Sequence, residues 1–233
     1  MRTHRLNSPI RDPSLVLEAL LWKRDAGNAQ KFMSDDMYGH LATVTGATWE
    51  IQGRTFDGID DGILLDANVT KGLAAISLFA WIKPEPQATS HQTIWGDYTG
   101  AADFSAFFNI MNESATLWSP MAGLLPEGGA RTDTGTLGLT PTFNYGVWTY
   151  IGFTWSPNTC TLYGNGVSID SGTVTGATLE NTVTLNNNIG AYAPGALHQN
   201  CKMIAGEFHV FSRALNPLEV QRNYLATKWR YIP

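Results

Sequence analysis

Aspartates crowd the segment FDGIDDGILLD, residues 56–66, and closely spaced carboxylates are the side chains that calcium chemistry needs. Calcium takes roughly six to eight oxygens from carboxylates, carbonyls and water. The spacing Asp57-x-x-Asp60-Asp61 differs from the Asp-x-Asp-x-Asp-Gly of an EF-hand loop, and no Glu stands at the twelfth position. If one structural Ca²⁺ is bound here, Asp57 and Asp60 are its first candidate ligands.

Strand geometry limits this metal site. Asp60 and Asp61 on an extended segment point to opposite faces, so both can serve one ion only if Gly58 or Gly62 bends the chain. The alternative is a local role, in which Asp57 and Asp61 are turn residues whose side chains bond nearby backbone amides. Both interpretations stay open at this point.

Catalytic constellations are missing from the sequence. Retaining glycoside cleavage needs two carboxyl groups about 5–5.5 Å apart, and no Glu-x-Asp-x-Glu run supplies them on one strand face. A lyase-like set of His91, Gln92 and Tyr150 can be assembled only by assumption. There is no Gly-x-Ser-x-Gly elbow, His-Glu-x-x-His pair or phosphate-binding glycine loop. We expect the protein not to be an enzyme.

Aromatic side chains in loop-like text are the candidates for binding a ligand. An aromatic ring beside short polar groups is how a shallow site holds the face of a sugar. On this basis Trp95, Tyr98, Trp118 and Tyr192 are the candidate ligand-binding residues. The alternative for Trp95 and Trp118 is that they fill the core.

The elements that position these residues are mostly strands. In a chain of 233 residues, 43% are hydrophobic and 15% charged, and 23 Gly and 11 Pro punctuate short apolar runs. This pattern predicts one all-β domain, a sandwich or barrel, with a hairpin turn at Asn165-Gly166 and a long surface loop over 120–144 that has room for one edge strand. The twelve predicted strands are 15–21, 47–50, 62–65, 76–83, 92–96, 104–111, 116–120, 148–155, 160–164, 167–173, 188–192 and 203–211.

One helix is predicted, over residues 216–229. Asn216 is its cap, Pro217 suits the first helical position, and Glu219 completes a capping box. An apolar stripe near the helical period is expected to dock against the sandwich, and it comprises Leu218, Leu225 and Trp229.

Three segments in order resemble the laminin-G-like branch of the concanavalin A-like jelly rolls. They are RTFDGIDDGILL with SLFAWIKPE (54–85), YGVWTYIGFTWSPNTCTLYGNGVSIDSG (145–172), and NNNIGAY through IAGEFHVFSRALNPLEVQRNYLATKW (186–229). The resemblance implies a two-sheet antiparallel jelly-roll sandwich over 47–233, closed by the helix, with 1–46 as an arm and first strand of the same domain. It also implies an inner-face core that includes Phe79, Trp81, Phe153, Trp155, Phe208 and Val210.

The resemblance bears on the metal in two ways. Such domains often hold a calcium ion, which raises the expectation of one here. The family pattern often enters its final strand through Ile-Asp-Glu, whereas this chain has Ala205-Gly206-Glu207, so one carboxylate is missing.

Charge and hydropathy exclude several classes of partner. The formal net charge is -5 and the 15 Lys and Arg are scattered, so we expect no nucleic-acid partner. The sequence has no apolar run long enough to insert in a membrane and no Sec-type signal before Pro9, so Sec is not the obvious route if the protein is exported. A virion-surface or extracellular location is expected from the family resemblance. Whether Cys160 and Cys201 pair stays open.

The function expected is a non-catalytic binding module that recognises glycans or a host-surface ligand. The text FMSDDMYGHLATVTGATW, 32–49, resembles the lead-in of stand-alone laminin-G-like proteins of phages and environmental bacteria. That resemblance implies a decoration or fibre protein with capsid or other virion partners, and a homo-oligomer is compatible with it. The alternatives are a secreted bacterial carbohydrate-binding protein and, less favoured, a polysaccharide-cleaving jelly-roll enzyme.

Overall fold

The computed structural model describes residues 12–24, 30–97, 104–134, 141–191 and 199–232. These residues form seventeen strands and one α-helix, followed by a short 3-10 turn at Lys228–Arg230. The elements are β1 Leu15–Leu20, β2 Lys31–Met33, β3 Leu41–Thr45, β4 Thr48–Glu50, β5 Gly53–Asp57, β6 Gly62–Leu65, β7 Ile76–Pro84, β8 His91–Gly96, β9 Ala106–Asn112, β10 Leu117–Leu124, β11 Thr132–Thr134, β12 Phe143–Asn144, β13 Thr149–Ser156, β14 Thr159–Gly164, β15 Val167–Gly172, β16 Asn188–Ile189, β17 Lys202–Phe211 and α1 Pro217–Thr227.

The strands form two antiparallel sheets stacked as a sandwich, which confirms the predicted fold. The first sheet has the order β15-β14-β13-β7-β17-β5-β4, with β1 also paired to β17. The second has the order β11-β10-β9-β8-β16-β6-β3-β2, with β12 paired to β10. Runs of consecutive hairpins, β13 to β15 and β8 to β11, are joined in each sheet to strands from distant parts of the sequence, as in a jelly roll.

Strand β17 is the centre of the first sheet because it pairs with three other strands. One edge runs beside β7, whereas the other edge pairs first with β5, from Lys202 to Ala205, and then with β1, from Glu207 to Phe211. Gly206 stands at the changeover, and its carbonyl accepts a hydrogen bond from the Leu21 amide at 3.0 Å.

Apolar side chains pack on both faces of the first sheet. Phe153, Trp155, Phe208 and Val210 lie in the core between the sheets, as expected. The expectation is wrong for Phe79 and Trp81 on β7, which lie in a second buried cluster on the outer face. Successive residues of a strand point to opposite faces, and on β7 the neighbours of these two residues are the ones that face the inner core. Val220 of α1 belongs to that outer cluster, so the helix covers it.

The helix begins as predicted but docks by a different face. Both hydrogen bonds of the capping box between Asn216 and Glu219 are present. Val220 is buried and Tyr224 stacks on the Trp81 ring, with centroids 5.7 Å apart. The stripe expected to dock is instead exposed, since the accessible fractions of Leu218, Leu225 and Trp229 are 73%, 53% and 67%. At about 100° per residue these three lie roughly opposite Val220.

The structure also bears on the predicted hairpin, the predicted long loop and the two cysteines. The Asn165-Gly166 hairpin is confirmed, with φ of 52° and 81°. The predicted loop over 120–144 is partly wrong, because β10 continues to Leu124 and its edge pairs with β11 and β12. Cys160 and Cys201 are buried free thiols. No helix in the described ranges has the length and apolar character to cross a membrane.

Candidate functional site

A groove opens where the edges of the two sheets meet. Strands β2 and β3 of the second sheet form one wall, and β4 and β5 of the first sheet form the other. The groove therefore lies between an edge of one sheet and an edge of the other. Its volume of about 540 Å³ is within the range of small-ligand sites. The lining residues are Gln30, Lys31, Thr43, Val44, Thr45, Gly46, Ala47, Thr48, Trp49 and Arg54.

Trp49 is the aromatic side chain of the groove. Strand β4 is three residues long and at the edge of its sheet, so the ring is 38% exposed. Its Nε1 donates a hydrogen bond to the Trp22 carbonyl at 3.1 Å, which fixes the ring. The Arg24 guanidinium lies 5.7 Å from the ring centroid. A fixed, partly exposed indole is suited to stack against the apolar face of a sugar.

Positive charge dominates the groove. The Arg54 side chain is only 1% exposed, and its guanidinium lies 5.6 Å from the Phe32 ring centroid and donates to the Ala47 carbonyl at 3.4 Å. Lys31 is exposed on the opposite wall. None of the ten lining residues is Asp or Glu, so a ligand in the groove meets the Lys31 ammonium, threonine hydroxyls and one indole, while the Arg54 guanidinium lies buried in the wall.

The predicted metal residues lie together in the bend after β5. Gly58 has φ of +79° and turns the chain, so the condition for Asp60 and Asp61 to converge is met. Ligand atoms of Asp57, Asp60 and Asp61 all lie within 4.8 Å of one another. Two of these carboxylates also bond backbone amides: Asp57 accepts from Ile59 N at 2.7 Å, and Asp61 accepts from Asp57 N at 2.7 Å.

The electrostatics of this acidic bend suit a cation. Burial raises the pKa of Asp61, and the charges of Asp57 and Asp60 raise it further, against the hydrogen bond from the Asp57 amide. A bound cation relieves that repulsion, so the residues fit a calcium ion as three of its ligands. The carboxylate missing at Gly206 has no substitute there, since the Tyr231 ring occupies the space beside Gly206.

Two of the four aromatic residues predicted to bind a ligand are buried in the structure. Trp95 and Trp118 have no accessible surface and lie in the core between the sheets, so the prediction that they face a ligand is wrong. Trp118 packs on Phe143 with centroids 5.0 Å apart, and Trp95 lies near Phe208 at 6.2 Å. The other two candidates, Tyr98 and Tyr192, lie outside the described residues.

The lyase-like set is not assembled by the fold. Tyr150 is buried on the outer face of the first sheet, stacked on Phe79 with centroids 5.4 Å apart. His91 and Gln92 belong to β8 in the second sheet. Gln92 is itself buried and donates to the Glu85 carbonyl at 3.0 Å, a structural role.

These features define a lectin-like jelly roll: two antiparallel sheets, a closing helix and a polar groove at the sheet edges. A family model described as the concanavalin A-like lectin/glucanases superfamily, of the laminin G type, matches residues 57–221. The chain therefore belongs to this superfamily. All ten groove residues precede the matched range, so the family match carries no information about them. No curated protein sequence matches the chain.

Solved structures share the fold at low sequence identity. The binding domain of Paraclostridial Mosquitocidal Protein 1 aligns with a TM-score of 0.66 and 15% identity over 91% of this chain and 52% of that one. The botulinum neurotoxin serotype D ligand binding domain, in complex with N-acetylneuraminic acid, aligns with a TM-score of 0.65 and 15% identity over 92% of this chain and 51% of that one. The receptor binding domain of the botulinum neurotoxin C/D mosaic serotype aligns with a TM-score of 0.65 and 13% identity over 92% of this chain and 51% of that one. The chain thus spans about half the length of these structures.

The groove residues were missed by sequence reasoning. Trp49 was assigned only to a strand, and Lys31 and Arg54 were treated as scattered charges. A local signal existed, because the text LATVTGATWE, 41–50, combines three threonines with a tryptophan that a short edge strand cannot bury. The approach of Lys31 to Arg54 depends on how the two sheets stack, so no spacing rule indicates it.

Proposed function

We propose that this chain is a non-catalytic glycan-binding module and that the groove is its binding site. The observation that carries the proposal is the exposed, fixed Trp49 ring beside Arg54 and Lys31. Stacking on an aromatic face and hydrogen bonds from short polar groups are how proteins hold sugars. Membership of a superfamily that contains lectins supports this reading, as does the complex of the serotype D ligand binding domain with N-acetylneuraminic acid.

Absence of catalysis is part of the proposal. A glycosidase needs paired carboxyl groups and a general acid at the sugar, and the groove lining has no carboxylate. Incubation with the glycans that bind best should release no reducing ends and no unsaturated products. If either product forms, and if substitution of a groove residue abolishes its formation, the groove is the active site of an enzyme and this part of the proposal is wrong.

The test of binding is a glycan array followed by titration calorimetry. Wild-type protein should bind at least one glycan class, and Trp49→Ala should weaken binding about tenfold or more, equivalent to about 1.4 kcal/mol. Tyr38→Ala is the matched control, because Tyr38 is an exposed aromatic residue, 55% accessible, that does not line the groove. Equal losses in both variants would remove the groove from the proposal, and no binding to any glycan would end it.

One structural Ca²⁺ belongs to the same proposal, with Asp57, Asp60 and Asp61 as its carboxylate ligands. Thermal unfolding in about 1 mM Ca²⁺ should have a higher midpoint than in EDTA. Asp60→Asn should abolish that difference, whereas Asp66→Asn, an exposed aspartate outside the cluster, should preserve it. A midpoint that calcium leaves unmoved would support the purely local role, in which these carboxylates bond turn amides.

Display on a virus particle, as a decoration or fibre protein, is the proposed setting. Its support is the resemblance of residues 32–49 to phage-encoded laminin-G-like proteins. Mass spectrometry of purified particles from the source should detect the chain in a fixed ratio to the capsid protein, and light scattering should show a homo-oligomer. A monomer found only in culture medium would favour the alternative, a secreted bacterial carbohydrate-binding protein.

A further inference from the structure

We propose that the ligand is an anionic polysaccharide, a chain of carboxylate- or sulfate-bearing sugars that runs from the groove across a neighbouring surface. This inference rests on the proposed glycan-binding function and specifies its ligand class. The neighbouring surface, termed here the Trp-Arg band, comprises Trp22, Arg24, Trp49, Trp229 and Arg230.

The band is continuous with the groove through Trp49, which belongs to both. Trp49 is hydrogen-bonded to the Trp22 backbone at 3.1 Å, and the Arg230 guanidinium lies 3.6 Å from the Trp22 ring centroid. The same guanidinium lies 4.6 Å from the Trp229 ring centroid. The contacts therefore link the groove at the sheet edge to the 3-10 turn that follows the closing helix.

The tryptophans of the band can offer only their ring faces. Trp22 Nε1 donates to Glu207 at 3.2 Å, and Trp229 Nε1 donates to the Ala226 carbonyl at 3.0 Å. With the N–H of Trp49 also engaged, all three indoles have their polar atom occupied by the protein. Arg230 covers one face of the Trp22 ring and one face of the Trp229 ring. The apolar surface that remains is mainly on Trp229 and Trp49, which are 67% and 38% exposed, and it suits the C–H faces of sugars.

Charge specifies the kind of sugar chain. Lys31 in the groove and Arg24 and Arg230 in the band place three accessible cations along this surface, in a protein whose formal net charge is -5. Guanidinium groups bind carboxylate and sulfate oxygens as paired hydrogen-bond donors. Glu207, which accepts the hydrogen bond from Trp22, is only 2% exposed, so a ligand on the surface does not contact its carboxylate.

The position of Arg230 is held by a chain of hydrogen bonds. Gln52 Nε2 donates to the Arg230 carbonyl at 2.9 Å, and Gln52 Oε1 accepts from Trp148 Nε1 at 3.3 Å. Trp148 belongs to the buried cluster under the helix. The band is thus anchored to the fold, and an anchored site loses less conformational entropy on binding.

The experiment compares oligosaccharide series by titration calorimetry: oligogalacturonates, heparin oligosaccharides and neutral malto-oligosaccharides, each in short and long forms. At least one anionic series should bind about tenfold more tightly than the neutral one. Its affinity should rise with chain length and fall as NaCl is raised to about 300 mM. The carboxylated and sulfated arms identify which anion is preferred.

Two variants separate the band from the groove. Trp229→Ala and Arg230→Gln should weaken binding of long anionic chains about tenfold and leave short chains unaffected. Leu218→Ala is the matched control, since Leu218 is an exposed apolar residue at the start of α1, the helix that precedes the turn holding Trp229 and Arg230. Circular dichroism of each variant checks that the fold is retained.

The outcomes distinguish this inference from the function on which it rests. Equal affinity for neutral and anionic chains, lost in Trp49→Ala, overturns the inference and leaves the glycan-binding function in place. Long-chain affinity that is unchanged in both band variants also overturns it. No binding to any series in the wild-type protein overturns both.

Discussion

Replacement of Gly206 by alanine should destabilise the fold by a magnitude that follows from its surroundings. A Cβ built at Gly206 would lie 2.4 Å from Tyr231 Cε1 and 2.5 Å from Tyr231 Oη. The Tyr231 ring cannot easily retreat, because its centroid lies 4.7 Å from those of both Trp81 and Trp148. Overpacking of this kind costs roughly 1–3 kcal/mol. We expect a loss of about 2 kcal/mol and a fall in Tm of about 4–8 °C for a chain of this size.

A double-mutant cycle makes the expectation specific. Urea unfolding of wild type, Gly206→Ala, Tyr231→Ala and the double variant yields the coupling between the two positions. In the Tyr231→Ala background the added methyl group meets space, so Gly206→Ala should there cost less than about 0.5 kcal/mol. The reasoning is refuted if Gly206→Ala is as stable as wild type, or if its cost is the same in both backgrounds.

Two further predictions concern polar groups that hold the fold together. Asp97 is fully buried and accepts hydrogen bonds from Ser105 Oγ at 2.6 Å and from Asn68 Nδ2 at 2.7 Å. Asp97→Ala should therefore lower the free energy of unfolding, measured in urea, by about 3 kcal/mol. A loss below about 0.5 kcal/mol would contradict the role of this network. The hydrogen bonds from Arg213 hold the pKa of Glu219 below its ordinary value. This pair therefore stabilises the fold above the unfolded-state pKa of about 4.3, and the contribution is lost as pH falls through the lower folded-state pKa. Arg213→Gln should flatten that acid limb of the pH–stability curve, and an unchanged limb would show that the pair contributes nothing there.

Features set by neighbours in sequence could be predicted. The Asn165-Gly166 turn and the capping box of Asn216 and Glu219 depend on a few adjacent residues, and both are present. The alternating apolar runs likewise predicted most of the longer strands. Strand β4 lies within the predicted strand 47–50, whereas the three residues of β2 are too few to show alternation, so β2 was missed.

Features set by packing could not be predicted in the same way. Helix α1 has apolar residues on two opposite sides, and a helical period alone does not say which side meets the sheet. The side with Val220 does, because Trp81 and Phe79 project outward from β7 and need a cover, whereas Leu225 is left exposed.

Among the predicted site residues, the fate of Trp118 depended on packing, whereas that of the aspartates depended on neighbours in sequence. Trp118 is buried because Phe143, far along the chain, covers it. Asp57, Asp60 and Asp61 converge because one local bend at Gly58 suffices, so proximity in sequence was a good guide there.

The most direct test of the account is the affinity of Trp49→Ala for the glycan that binds wild-type protein best, measured by titration calorimetry at matched fold and stability. The account predicts a Kd weakened about tenfold or more, with Tyr38→Ala at the wild-type value. An unchanged Kd in Trp49→Ala would contradict the central claim that the groove between the sheet edges is the glycan-binding site.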